Sequence, residues 1–342
     1  MNSCVLGAGA WGTAMALHLI ECGHSVTLVP RRIEQAMELT SNRENRDYLP
    51  GYTLPDSLQI GHQLGPVLME AELILLACPA KGLRSLCQQI QQIQQIQQID
   101  EARQSLEQLK LILILSKGLE QDSLKLPYAI VQEYFPKVAI GILSGPSYAG
   151  EVAAGAPTAL SLAVEICSPT MEAIQESMSN DRLRLYLTDD VRGVELGGIL
   201  KNIYAIGAGL CDGLNLGDNA KSSYITRAMN EMTSIGKALG GRKETFYGLS
   251  GFGDLIATCF GSWSRNRSFG ESIGQGLEPK AIIHNQKTVV EGFVAVDCLH
   301  QIAEKKGLET PILNELYNII YGDTAPKLAL NNLMVRELKT EF

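Results

Sequence analysis

Three glycines, Gly7, Gly9 and Gly12, fall in the run GAGAWG over 7–12, between a short apolar stretch and a helical pattern. That strand-turn-helix setting is what the G-x-G-x-x-G spacing needs to hold a dinucleotide. The first glycine permits a tight turn, the second lets backbone approach a pyrophosphate, and the third lets helix and strand pack closely. Phosphate oxygens then meet N–H groups at the start of the helix. The next apolar run ends in Arg31 and Arg32, where an NAD site would carry an acid against the ribose 2′-hydroxyl. Two guanidinium groups there suit a 2′-phosphate, which predicts NADPH as the preferred cofactor with NADH also accepted; the alternative is a solvated basic turn.

Further along, SKGLE places Lys117 and LSGPSYAGE places Gly145 and Ser147 just after apolar runs. In an open α/β sheet, ligands bind at such strand ends. Lys201 and Asn202 lie in the small-residue stretch ELGGILKNIYAIGAG over 195–209. Helical glycines cost about 1 kcal/mol each relative to alanine, so Gly197 and Gly198 need a compensating reason. Close helix packing beneath a snorkelling lysine is one; room for a small ligand beside the ammonium is the other. Asp254 sits in GLSGFGDL, at a turn into a helix, and could be either an N-cap or a reacting carboxylate. SWSRNRSFG supplies Ser264, Arg265 and Asn266, with Arg267 beside them. A forked cation with neutral donors matches a buried phosphate; the alternative is a solvated loop.

The elements that must position these groups follow from periodicity. Residues 3–6, 25–29, 73–77, 111–115, 139–143 and 159–163 are short aliphatic runs separated by helical patterns, the signature of βαβ units. From about Asp190 the strand-like runs stop. The expected fold is an α/β chain, with a Rossmann-type, doubly wound, mainly parallel sheet over 1–189 and an all-helical substrate and catalytic domain over 190–342. Residues 88–99 repeat Gln-Gln-Ile four times. Isoleucine at every third position drifts around a 3.6-residue helix, which predicts a lengthened, partly exposed surface helix.

At 342 residues, with 45% hydrophobic and 19% charged composition, the chain is globular in type. Its net charge of -8 disfavours nucleic acid and anionic membrane as partners. The eight cysteines form no C-x-x-C pair and no zinc-ligand spacing, so they are expected to be buried reduced thiols with no metal. No apolar run reaches the roughly 18 residues of a membrane span, and no basic leader precedes the first strand. Cytoplasmic location is the expectation.

Taken together, GAGAWGTA, NRENRDYLPG, SKGLE, LSGPSYAGEV, ELGGILKNIYAIGAGLCDGL, AKSSYITRAMNEM, GLSGFGDL, SRNRSFG, VVEGF and TPILNELY resemble, in order and spacing, the NAD(P)-dependent sn-glycerol-3-phosphate dehydrogenases of bacterial type. The resemblance spans nearly the whole chain. It implies reversible reduction of dihydroxyacetone phosphate to sn-glycerol 3-phosphate, the glycerophospholipid backbone, by a homodimer. It makes Lys201 the general acid/base, and Lys117, Gly145, Ser147, Asn202, Asp254, Ser264, Arg265 and Asn266 the substrate site. It assigns Ala10, Trp11, Arg31, Arg32, Ala149, Val289 and Glu291 to the dinucleotide, with Lys117 and Arg265 near both ligands. Gly197, Gly198 and the alanines after Lys201 would then clear space for a three-carbon substrate. A lysine pKa of about 10.4 should fall with burial or a neighbouring cation, while Asp254 opposes the fall. Two other readings keep the first domain: a dehydrogenase of another hydroxy acid, and a silent NADPH sensor.

Overall fold

The computed structural model describes residues 1–98, 108–285, 289–338 and 340–341, and the chain divides into two compact units. Met1–Lys117 with Lys125–Glu195 form the first; Gly118–Leu124 with Leu196–Phe342 form the second. The division falls inside a single helix, Val191–Gly213.

Among its described residues the first unit holds ten strands: β1 (Asn2–Leu6), β2 (Ser25–Val29), β3 (Glu44–Asn45), β4 (Leu49–Thr53), β5 (Gln59–Ile60), β6 (Leu73–Leu76), β7 (Leu111–Ile114), β8 (Ile140–Ser144), β9 (Thr158–Val164) and β10 (Leu183–Thr188). Eight form one sheet in the order β10-β9-β8-β7-β6-β1-β2-β5, while β3 and β4 pair antiparallel on their own. Every neighbouring pair in the large sheet is parallel except β8 with β9. The chain leaves β1 toward β2 and returns to its other side at β6. β1 is therefore the switch point, and the crevice beyond its carboxyl end is where such sheets bind ligands.

The central strands are apolar throughout because both faces are covered. Leu73 and Leu75 of β6 pack into one layer and Ile74 and Leu76 into the other, all four fully buried. All six expected strands are present to within a residue or so. β10 was not among them, because LRLYLT alternates buried and exposed side chains and lacks the continuous apolar run of a central strand. β4 carries Pro50 and Gly51, which disguise it.

Helix Ala80–Gln98 includes most of the Gln-Gln-Ile repeat; Ile90 is buried, Ile93 is half-buried, and Gln88, Gln89 and Gln92 are exposed. The last residue of that repeat, Ile99, lies outside the described residues. Five cysteines are buried, but Cys167 is exposed and Cys22 and Cys78 are half-buried, so the expectation of uniformly buried thiols was too broad. Cys167 follows the exposed Ile166 just beyond β9.

Among its described residues the second unit contains helices and no strand. Glycines let its helices meet at backbone distance. A Cβ at Gly209 or Gly213 of helix Val191–Gly213 would strike the carbonyl oxygens of Arg267 and Glu271, and one at Gly270 would strike that of Ile206. The roughly 1 kcal/mol that each helical glycine costs is offset by this contact between helices Val191–Gly213 and Arg265–Gly274. No helix among the described residues is long and apolar enough to cross a membrane.

Candidate active site

In the first unit, the GAGAWG turn joins β1 to helix Ala10–Glu21. Gly7 has φ of 118°, which L side chains rarely adopt, and a Cβ there would lie 2.7 Å from the Ala77 carbonyl oxygen. A Cβ on Gly12 would collide with the Gly7 carbonyl oxygen and lie 2.9 Å from Ala77 Cβ. Both are glycine because protein occupies the space. Gly9 differs: its Cβ would meet no heavy atom within 4 Å.

Gly9 is the N-cap of helix Ala10–Glu21 and no side chain caps that end. N–H groups of a first helical turn have no intrahelical acceptors, so an anion is the partner they lack. The loop's carbonyls are meanwhile held by protein donors. Ala8 O accepts from Gln35 Nε2 at 2.9 Å and Asn45 Nδ2 at 3.0 Å, and Gly9 O accepts from Thr13 Oγ1 at 2.9 Å. Asn45 also donates to Thr13 Oγ1 at 2.7 Å. Repulsive oxygens are thus tied back while the helix end stays open. Ala10 and Ala149 line a cleft of about 420 Å³, with Tyr48, Tyr52 and Tyr148 as aromatic walls. These residues fit a dinucleotide pyrophosphate. Arg31 and Arg32 follow β2, both exposed.

The other strand-end groups of this unit converge on one carbonyl. Gly145 follows β8 with φ of 145°, and its oxygen accepts from Ser147 Oγ at 2.9 Å and Lys117 Nζ at 3.4 Å. Gly145 thereby brings together the three residues expected there.

In the second unit, Lys201 lies on helix Val191–Gly213 and is buried, at 7% exposure. Its Nζ donates to Asp254 Oδ1 at 2.9 Å and to Thr258 Oγ1 at 2.8 Å. Asp254 and Thr258 are one helical turn apart on Asp254–Phe260, so they share a face. The Thr258 hydroxyl donates to Asp254 O at 2.6 Å. Its proton is therefore committed and its lone pair receives the ammonium. Gly253 is the N-cap of that helix, which leaves the Asp254 carboxylate for Lys201.

The glycine next to this pair serves packing. A Cβ on Gly197 would lie 2.7 Å from Ser250 O, in the π-helical turn Leu249–Gly253 that leads into Asp254. Ala205 and Ala208 are fully buried. The space expected for substrate at Gly197 is filled by protein, and close approach of that turn accounts for the glycine.

Asn202, Ser264 and Asn266 are buried, and Val289 and Glu291 are half-buried. Ser264 caps helix Arg265–Gly274, its Oγ accepting from Arg267 N at 3.2 Å. Asn266 Nδ2 donates to Asn202 Oδ1 at 2.8 Å. Burial pushes the Arg265 pKa down, and the negative charge of Glu291 counters it. Arg267 is held at Asp212 Oδ2, 2.6 Å away, so the solvated-loop alternative fails for it. Among the described residues no cluster of His, Cys, Asp and Glu could hold a metal ion.

Thr258, Thr13, Gln35 and Asn45 were not singled out from the sequence. For Thr258 the signal was its four-residue spacing from Asp254; for Asn45, its place in NRENRDYLPG. Thr13 had its place in GAGAWGTA, and Gln35 carried no signal.

A glycine-turn switch point in one unit and a buried lysine–carboxylate pair among the helices of the other are parts that a dinucleotide-dependent dehydrogenase needs. Residues 2–168 match the N-terminal part, and residues 190–331 the C-terminal part, of the NAD-dependent glycerol-3-phosphate dehydrogenases, and the chain belongs to that family. It is 40% identical over 342 residues to a glycerol-3-phosphate dehydrogenase (NAD(P)+) of Lysinibacillus sphaericus, covering 99% of this chain and 97% of that one. The corresponding protein of Thiobacillus denitrificans is 42% identical over 343 residues, with both chains fully covered. A crystal structure of glycerol-3-phosphate dehydrogenase from Coxiella burnetii superposes with a TM-score of 0.89 at 34% identity, covering 98% of each chain.

Proposed function

We propose that this chain reduces dihydroxyacetone phosphate reversibly to sn-glycerol 3-phosphate, and that Lys201 is its general acid/base. Family membership over nearly the full length supports the reaction. The product is the backbone of glycerophospholipids. NAD(P)H supplies the hydride when bound; everything else is the work of this chain's own residues. The observation that carries the role of Lys201 is its buried Nζ, held at 2.9 Å by Asp254 Oδ1 and at 2.8 Å by Thr258 Oγ1.

Two fixed acceptors orient the ammonium, and burial excludes water that would compete for its protons. During reduction Lys201 Nζ gives a proton to the ketone oxygen; during oxidation it takes the hydroxyl proton back. Arg265, with Asn202, Asn266 and Ser264, binds the phosphate, and Lys117, Gly145 and Ser147 complete the substrate site. Gly7, Gly9, Ala10, Trp11 and Gly12 receive the pyrophosphate, Arg31 and Arg32 the 2′-phosphate, and Ala149, Val289 and Glu291 the rest of the dinucleotide, with Lys117 and Arg265 near both ligands. Residues 1–189 act as the nucleotide domain and 190–342 as the catalytic domain, in a cytoplasmic homodimer.

An NADPH-oxidation assay with dihydroxyacetone phosphate tests the reading. Lys201→Ala should lower kcat by about 10²–10⁴-fold; wild-type rates in that variant would remove Lys201 from the mechanism. Arg31→Ala/Arg32→Ala should shift preference from NADPH toward NADH, and an unchanged ratio would move the 2′-phosphate elsewhere.

A further inference from the structure

Asn202, on the Lys201 helix, and Asn266, beside Arg265, are joined to a third helix by a directional chain. The Gly292 N–H donates to Asn266 Oδ1 at 3.0 Å, and Asn266 Nδ2 donates to Asn202 Oδ1 at 2.8 Å. Gly292 is the second residue of helix Glu291–Lys306, where a backbone N–H has no intrahelical acceptor. Asn202, Asn266 and Gly292 are all buried.

A side-chain amide has two faces, an acceptor oxygen and a donor nitrogen, and a half-turn exchanges them. A backbone N–H cannot turn. The Gly292 donor therefore forces oxygen at its end of Asn266, which forces nitrogen toward Asn202, which forces the Asn202 oxygen inward. On the opposite side of Asn202 stands its nitrogen; one hydrogen reaches Gly198 O at the long distance of 3.4 Å. Only glycine lets the anchor come this close: a Cβ at 292 would lie 2.6 Å from Asn202 O and 2.8 Å from Asn266 Oδ1.

We propose that Gly292 is a specificity-determining positioning residue, whose N–H locks Asn266 and Asn202 so that Asn202 offers an anion a donor and never an oxygen. This rests on the reading of Asn202 and Asn266 as phosphate contacts. Released from the lock, Asn202 is held in that orientation only by the long 3.4 Å contact of its nitrogen with Gly198 O, and it can turn its oxygen toward the phosphate.

Steady-state kinetics with NADPH, comparing dihydroxyacetone phosphate with unphosphorylated dihydroxyacetone, test it. Gly292→Ala should raise KM for the phosphorylated ketone and lower the kcat/KM ratio between the two ketones by about tenfold, the worth of one hydrogen bond to a charged group. In an Asn202→Ala background the same substitution should change the ratio less than twofold, because the lock has nothing left to orient. Additive losses, or a ratio that survives Gly292→Ala, would overturn the lock and leave the phosphate reading intact. A wild-type enzyme indifferent to the phosphate would overturn both. If Gly292→Ala does not fold, amide hydrogen exchange at Gly292 carries the test: exchange should be slow in the wild type and about tenfold or more faster in Asn266→Ala, and equal rates would overturn the lock.

Discussion

Lys201 Nζ lies 2.9 Å from Asp254 Oδ1, with only 9% of one side chain and 2% of the other exposed. A buried pair of this kind is costly to break from one side, because the remaining charge has neither partner nor water. Asp254→Asn should destabilise the protein by about 3–5 kcal/mol if the lysine stays charged, or make the lysine shed its proton. The first outcome leaves the ammonium without its orienting carboxylate and the second removes the proton to be given, so kcat should fall about 100-fold at neutral pH. Urea unfolding and initial rates on one preparation check both. A variant with wild-type stability and rate would show that the pair is not a functional unit.

Thr258 makes a narrower prediction. Its hydroxyl accepts from Lys201 at 2.8 Å while donating to Asp254 O. Valine keeps the shape and removes the acceptor. A hydrogen bond to a charged group is worth about 1.5–3 kcal/mol, so Thr258→Val should lower kcat by roughly 10–100-fold with little change in KM for NADPH. Unchanged kcat would mean that Asp254 alone orients the ammonium.

The glycine turn separates fold from function within six residues. A Cβ on Gly12 has nowhere to go, whereas one on Gly9 enters open space. Gly12→Ala should unfold at markedly lower urea. Gly9→Ala should match wild type in stability yet raise Kd for NADPH by about tenfold or more, since a methyl group would stand where the pyrophosphate approaches. Titration by nucleotide fluorescence measures the second effect; unaltered binding in Gly9→Ala would relocate the pyrophosphate.

How much of this was legible in the sequence depended on the physics involved. Strands buried on both faces announce themselves as aliphatic runs, so β1, β2 and β6 to β9 could be read directly. β10 could not, because an edge strand alternates, nor could β4, with proline inside it. Lys201 and Asp254 stood out as charges in apolar or glycine-rich surroundings. Thr258 did not, because a hydroxyl in a helix has no periodic signature and its role comes from a contact 57 residues away. Gly197 was visible as a glycine, but its reason, the Ser250 carbonyl, depends on packing that no local pattern encodes.

Glu195 opens the stretch that contains Lys201, and it is the site of the clearest pH prediction. Its Oε1 accepts from Tyr128 N at 2.7 Å, in the first turn of helix Pro127–Tyr134, while its buried Oε2 has no hydrogen-bond partner among the described residues. Burial pushes its pKa up from 4.5 to about 7, only partly countered by the Tyr128 N–H and the charge of Arg192. A raised carboxyl pKa means that the folded state holds the proton more tightly than the unfolded chain. Its contribution to stability is therefore full below about pH 4.5 and is lost as pH rises toward 7. The total swing is on the order of 3 kcal/mol. Glu195→Gln keeps an acceptor for Tyr128 and cannot ionise, so variant minus wild-type stability should grow across that window and level off above it. Urea midpoints at half-unit pH steps measure the difference; a gap independent of pH would mean that Glu195 is ionised, or protonated, throughout.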